Sequence, residues 1–291
     1  TPVGPFPYTT EEVSFSNGDA VLKGTLTMPA DCDRKTPVLV MVTGSGLQNR
    51  DEELFGHKPF AVIADAFARA GIATLRYDDR GFGESTGDVV LCTTEDLKND
   101  ALAGVKLLRD RFERVGVIGH SEGGTIALML AGERQVDFAV SLAGMIVSGA
   151  ETLLAQNRRA FESAGLPESE VEAFARLLSD TFTAIRTRAP LPSADDYDIT
   201  DALRKNYAAA LPSFRTPYME FFLGLDLSAS LSGITCPVMA LNGTKDTQVQ
   251  CDRNIAVLKA GLPSNSRSVI RAEDGLNHLF QHCVTGEVSE Y

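Results

Sequence analysis

The stretch Val117-Ile118-Gly119-His120-Ser121-Glu122-Gly123-Gly124 ends one apolar run, and Thr125-Ile126-Ala127-Leu128-Met129-Leu130 starts another directly behind it. A strand that turns straight into a helix must fold back within about four residues. A side chain beside that turn strikes either the strand or the helix, so glycine is required two before and two after the central residue. Gly119 and Gly123 meet that requirement around Ser121. The central residue is then held in a strained backbone conformation, with its hydroxyl clear of the sheet. The helix that begins there offers N–H groups and a positive dipole end to a developing anion.

The rest of the chain supplies the sheet that such a junction needs. Residues 11–29 read as a hairpin about the turn Asn17-Gly18-Asp19. Residues 37–42 are a continuous apolar run, as a strand buried on both faces should be. A glycine-rich loop follows, and then Phe60, Ile63, Phe67 and Ala70 recur at helical spacing before a stop at Gly71. Strands are predicted at 72–77, 114–119, 137–144, 237–243 and 266–272, and helices at 123–132 and near 252–261. A further helix opens at Thr93 and Thr94 with Glu95 and Asp96 in its first turn, and carries Leu97, Ala101, Val105 and Leu108 on one face. This order predicts the α/β class, with a mostly parallel sheet and helices on both faces. Residues 146–230 break the pattern: they are helical in period, charged, and punctuated by Pro167, Pro190, Pro192, Pro212 and Pro217. They are expected to form a helical cap inserted into a core of residues 1–145 and 231–291, above the C-terminal strand ends where open α/β sheets bind ligands.

Composition excludes several classes. The chain has 291 residues, 44% of them hydrophobic, which suits one large domain with an insertion. No apolar run approaches the roughly 18–20 residues that span a bilayer. A net charge of −12 argues against nucleic acid or an anionic membrane as partner. The five cysteines form no C-x-x-C pair and no zinc spacing, and a Cys251–Cys283 bridge stays open as an option. Chemistry at a serine hydroxyl requires neither a metal nor an organic cofactor, so none is expected. The chain starts at Thr1 rather than Met, which sets the expectation of a processed product, periplasmic or secreted.

A serine hydroxyl near neutral pH needs a base to take its proton and a third group to orient that base. Four histidines are available. His120 cannot bend back to its neighbour's hydroxyl, and His57 lies upstream at a helix start. His278 and His282 follow the last strand; His278 is favoured, and His282 is expected to be a solvated residue on or near a following helix. The acid should come from an intervening strand end, where Asp246 follows the turn Asn242-Gly243. Asp274 reads as turn chemistry and Asp252 as a helix-start charge. Ser121, Asp246 and His278 then follow the chain order nucleophile, acid, base.

With these residues in place, the chain resembles the α/β-hydrolase superfamily over nearly all of 11–291, through GHSEGG, YDDRGFGES (77–85), LNGTKD (241–246) and NHLFQ (277–281). The stretch TGSGLQNRDEE (43–53) with GHKPF (56–60) is similar to bacterial serine esterases of the dienelactone-hydrolase and serine-aminopeptidase-like branch. The resemblance implies carboxylester hydrolysis of small-molecule esters through Ser121, Asp246 and His278. It also implies an oxyanion hole made by the backbone N–H of Glu122 and of a loop residue, Ser45 first and Leu47 second. Many relatives begin that loop with His-Gly, where this chain has Thr43-Gly44. Arg50, Asp51 and Arg80 lie in loops at the same edge and read as a loop clamp or as substrate contacts, with Asp78 and Asp79 as available partners. Phe161, Phe174, Phe182, Phe214, Phe221 and Phe222 are expected to build the cap's own core, one or two facing an acyl pocket. A short-peptide aminopeptidase or an acyl thioesterase would use the same machinery; the former needs an acidic residue for an ammonium, with Glu162, Glu168, Glu170, Glu172 and Asp180 as candidates. A silent ligand-binding protein is the remaining rival class.

Overall fold

The computed structural model describes residues 2–291. Its first two strands, β1 (Tyr8–Asn17) and β2 (Ala20–Pro29), pair antiparallel from Asn17↔Ala20 outward. Gly18, at φ +58°, supplies the left-handed backbone that this two-residue turn requires. The strand starts three residues earlier than the sequence pattern indicates, because Tyr8 is held by Asp65 through its hydroxyl.

The remaining strands are β3 (Val38–Val42), β4 (Ala73–Tyr77), β5 (Val115–His120), β6 (Ala139–Leu142), β7 (Val238–Gly243) and β8 (Val269–Glu273). They form an eight-stranded sheet in the order β1-β2-β4-β3-β5-β6-β7-β8. Only β2 runs against the others, so the strands from β3 onward all end at one edge.

Alternation along β3 shows why both faces are covered. Val38, Val40 and Val42 enter a core shared with Leu75, Val117 and three helices, α2 (Thr94–Arg109), α3 (Glu122–Gly132) and α8 (Cys251–Gly261). Leu39 and Met41 point the other way, onto Phe60 and Ala64 of α1 (Pro59–Arg69). At the start of α2, Thr93 and Asp96 close a reciprocal capping box.

Between β6 and β7 the chain builds α4 (Gly149–Ser163), α5 (Glu168–Thr187), α6 (Asp201–Phe214) and α7 (Pro217–Gly224). These helices own a separate core in which Phe174, Leu177, Phe182, Leu203, Tyr207 and Leu223 are buried. The prolines fall where helices begin or end: Pro167 caps α5, Pro217 opens α7, and Pro212 sits in the last turn of α6. A Cβ on Gly149 would stand 2.1 Å from the carbonyl oxygen of Phe222. That contact brings the start of α4 against α7, and both helices reach over the sheet edge.

Candidate active site

The turn at Ser121 takes its form from close packing. A Cβ on Gly119 would lie 2.0 Å from the carbonyl oxygen of Gly123, and one on Gly123 would lie 2.0 Å from that of Val42. Real Cβ atoms do not approach so closely, so neither glycine can be replaced without moving backbone. Neither of them needs a left-handed φ; the residue that takes one is Ser121, at φ 54° and ψ −120°. Its amide donates to Leu142 of β6 at 2.8 Å. The Ser121 hydroxyl lines a pocket and makes no hydrogen bond among the described residues. The amide of Glu122 is the first of α3, a position without an intrahelical acceptor.

Asp246 and His278 follow the ends of β7 and β8. The loops after β7 and β8 are joined by backbone bonds from Thr244 to Glu273 and from Lys245 to Leu276, 2.9 and 3.0 Å. Asn277, fully buried, accepts the amides of Leu279 and Gln281 and so shapes the turn around His278. The imidazole Nδ1 of His278 lies 2.8 Å from Asp246 Oδ2. The same oxygen accepts from Asn242, and Oδ1 accepts the amides of Gln248 and Val249. A carboxylate with all of these donors facing it leaves Nδ1 as the protonated ring nitrogen and Nε2 as the one with a lone pair. The competitors are elsewhere. Asp274 accepts from Thr244 on the exposed side of its turn. His57 is exposed beside its isolated bridge to Leu54. His282 is exposed as expected, but it pairs with Leu276 in a short bridge and no helix follows it, since the chain continues through a 3-10 turn at Val288–Glu290.

The loop after β3 is built from side chains that hold its amides. The Gly44 amide donates to Glu52 Oε1 at 2.8 Å and that of Gln48 to Asp79 Oδ2 at 2.8 Å. Among the described residues the Ser45 amide has no such partner, and Ser45 lines the pocket beside Ser121 and Glu122. Leu47 is 40% exposed and does not line it. Arg50, Asp51 and Arg80 also stand away from the pocket. Arg50 bonds Asp78 with its amide and guanidinium and reaches Glu12 and Glu84, Asp51 pairs with Arg76, and Arg80 makes two 2.7 Å bonds to buried Asp100. All three hold loops in place.

Asp79 departs from the sequence reading, which offers it to an arginine. It instead receives the Thr43 hydroxyl at 2.9 Å together with the Gln48 amide. Burial pushes its carboxyl up to about 8, with the charges of Glu52 and Glu122 adding to the rise against the bonds from Gln48 and Thr43. The folded protein thus keeps a proton that the unfolded chain releases near pH 4. Stability conferred by that proton is complete below pH ~4, declines as pH rises toward about 8, and levels off above it. Asp79→Asn should flatten this decline in urea titrations run between pH 5 and pH 9; an unchanged slope would refute the assignment.

The pocket over Ser121 has a volume of about 210 Å³. Its walls include Thr152 and Leu153 of α4, Tyr218, Met219 and Phe222 of α7, and Met145. Of the phenylalanines in the helical block, Phe222 alone lines it; Phe174 and Phe182 are in that block's own core. The Glu122 carboxylate is buried here, accepting from Thr94 at 2.6 Å and from the Tyr218 hydroxyl at 2.5 Å. One oxygen thus faces the core helix α2 and the other faces α7. Burial and the neighbouring Glu122 carboxylate hold the Tyr218 hydroxyl far above its ordinary range, so it serves as a donor.

A family model described as "Serine aminopeptidase, S33" matches residues 58–280. The chain belongs to this family. The eight-stranded sheet with the serine on its strand-to-helix elbow is the α/β-hydrolase fold, as expected of an S33-family chain. Esterase EstD of Thermotoga maritima is 27% identical over 271 residues, covering 91% of this chain; the chain spans 59% of that protein's length. The Pyrococcus furiosus esterase Pf2001 superposes with a TM-score of 0.61 at 16% identity, covering 96% of this chain and 88% of that one. Est1E of Butyrivibrio proteoclasticus, solved with ferulic acid bound, gives 0.58 at 19% identity, with 93% and 92% covered.

Other features of this S33-family chain lie outside the pocket. A larger cavity of about 580 Å³ lies on the far side of Asp246, between α4 and the start of α8. It does not reach Ser121, and its cations are engaged: Arg159 with Glu287, Arg253 with Glu151, Lys245 with the carbonyls of Cys283 and Val284. All five cysteines are free thiols; Cys251 faces the Asn242 carbonyl and Cys283 that of Gly275, so the Cys251–Cys283 bridge is not formed. Among the described residues no helix is long and apolar enough to cross a membrane, and no group of three His, Cys, Asp or Glu is placed to hold a metal. Sequence reasoning missed three participants: Glu52, His120 as a buried bonding group, and the Glu122 side chain. Their partners are 8 to 158 positions away, with no periodic signal to reveal them.

Proposed function

We propose that this protein is a serine carboxylesterase for short-acyl or aryl-acid esters, with Ser121 as nucleophile, His278 as base and Asp246 as its orienting acid. The observation that carries the reading is the Asp246–His278 bond at the same sheet edge as a strained, glycine-bracketed Ser121. His278 Nε2 takes the Ser121 proton as the hydroxyl oxygen attacks the ester carbonyl; such contacts are often long in ligand-free enzymes and tighten with substrate. The tetrahedral oxyanion sits between the amides of Ser45 and Glu122, whose positions in the pocket lining suit that role. The imidazolium then protonates the leaving alcohol, and water repeats the sequence on the acyl-enzyme to release the acid.

The small cavity over Ser121 suits a short or flat acyl group. The esterase relatives and the ferulic acid bound to Est1E support the same class. An aminopeptidase reading has the family's description in its favour. It needs a free carboxylate for the substrate ammonium, yet Glu162, Glu168, Glu170, Glu172 and Asp180 do not line the pocket, and Glu122, which does, is already paired with Thr94 and Tyr218. The ester reading therefore stands first.

A panel of p-nitrophenyl acetate, p-nitrophenyl butyrate, methyl ferulate, an aminoacyl nitroanilide and an acyl thioester tests it. Esters should lead by about a hundredfold in kcat/KM, and a fluorophosphonate should label Ser121. Faster turnover of the anilide or thioester, or no labelling, would overturn it.

A further inference from the structure

His120 stands beside the nucleophile and is buried, yet the chemistry above leaves it unused. Its Nε2 lies 2.9 Å from the backbone carbonyl oxygen of His278, and its Nδ1 lies 2.9 Å from Glu52 Oε1. A carbonyl only accepts, so Nε2 carries a hydrogen. Glu52 Oε1 already accepts the Gly44 amide, which only donates, so that oxygen is also an acceptor. One hydrogen must therefore lie between Nδ1 and Oε1, because two lone pairs facing each other at 2.9 Å would be unfavourable where the Glu52 side chain is 1% exposed. Held by Nδ1, that hydrogen makes an imidazolium against a carboxylate; held by Oε1, it makes a neutral imidazole against a carboxylic acid, and the raised proton affinity of His120 favours the first.

We propose that Glu52 and His120 act as one positioning unit, a buried ion pair that ties the oxyanion loop to the backbone of the general base. The pair joins three separate loops: Glu52 holds the Gly44 amide next to Ser45, His120 belongs to the elbow, and its ring grips the carbonyl of His278. Glu52 keeps a left-handed φ of 51° to reach this place, a conformation that costs a non-glycine residue energy unless its bonds hold it there. The charged and titratable groups around the His120 ring are Glu52 from the loop after β3, Asp246 from the loop after β7, and His278 from the loop after β8. Burial alone would lower the affinity of His120 for its second proton; Glu52, the His278 carbonyl and Asp246 outweigh it and raise that affinity above the ordinary value.

The inference rests on His278 being the base. The two imidazole rings are 4.7 Å apart between centroids.

Ring nitrogen NMR on the wild-type protein at pH 7 should show both nitrogens of His120 protonated. Glu52→Gln keeps the size but loses the carboxylate. It should lower kcat for p-nitrophenyl butyrate about 100-fold, through misplacement of groups around the reacting atoms, with KM within about twofold because neither residue lines the pocket. A kcat that falls while KM holds is the mark of misplaced reacting groups, which general loosening of the fold would not give. A neutral His120 in the wild-type spectrum, or a Glu52→Gln enzyme with unaltered kcat, would overturn the proposal. If Glu52→Gln does not fold, the wild-type spectrum decides. That spectrum is independent of turnover, so a failure of the esterase reading remains separable from a failure of the ion pair.

Discussion

Ser121→Ala should reduce turnover of p-nitrophenyl butyrate by about 10⁴ or more, leaving only the rate supplied by substrate binding and the oxyanion amides. The fold should tolerate the change. The Ser121 hydroxyl makes no hydrogen bond among the described residues, and alanine meets the positive φ at 121 with the same Cβ that serine has. Unfolding free energy should shift by less than about 1 kcal/mol. Kinetics and denaturant melts on one preparation separate the two effects. An alanine protein with near wild-type turnover would sink the nucleophile assignment; one that is inactive because it is unfolded would leave its melt abnormal.

The second large effect is expected from Asp246→Asn. Two backbone amides converge on Oδ1, from Gln248 and Val249, so the carbonyl of an introduced amide is drawn to that side. Its NH2 group then faces the Asn242 amide nitrogen and His278 Nδ1, where the carboxylate had accepted from both. Donor against donor is unfavourable, and the imidazole relieves it by moving its proton from Nδ1 to Nε2. A ring protonated at Nε2 cannot accept the serine proton. A loss of about 10⁴ in kcat is expected, with KM little changed, as for the same substitution in a serine-protease triad. Asp274→Asn is the control: its carboxylate bonds an exposed threonine, and turnover should stay within about threefold. If the control suffers equally, or if Asp246→Asn remains active, the acid has been misassigned.

The elements that survive from sequence to structure share a property: their signal is local. Five of the six residues in the apolar run at 37–42 become the strand Val38–Val42, every one of them buried, because a strand covered on both faces must be apolar at each position. The elbow at Ser121 is equally local, since the glycine requirement acts within five residues. Element ends were less visible. β1 begins at Tyr8 because of a bond to Asp65, 57 residues away.

The supporting groups show the opposite case. His120 is adjacent to the nucleophile in the chain, and that nearness made it look idle, since it cannot reach back to its neighbour. Its partners are 68 and 158 residues distant. Asp79 sits in a charged loop where pairing with an arginine was the simple expectation, but Asp78 takes Arg50 and Asp79 turns inward to Thr43 and Gln48. Adjacent residues in an extended loop point to opposite sides, and which side faces the core depends on how the loop lies on the sheet.

The linear chain by itself determined the fold class and the elbow, and it nominated the three side chains proposed for the relay, because glycine sterics, burial of apolar strands and the order of strand ends all follow from short-range pattern. Tertiary structure alone decided which loop amides are already occupied, where the helical block seats Tyr218 over Glu122, and that Glu52 meets His120. Those outcomes depend on hydrogen-bond geometry between segments far apart in the chain, and a buried polar group takes whichever partner the packed backbone brings within about 3 Å.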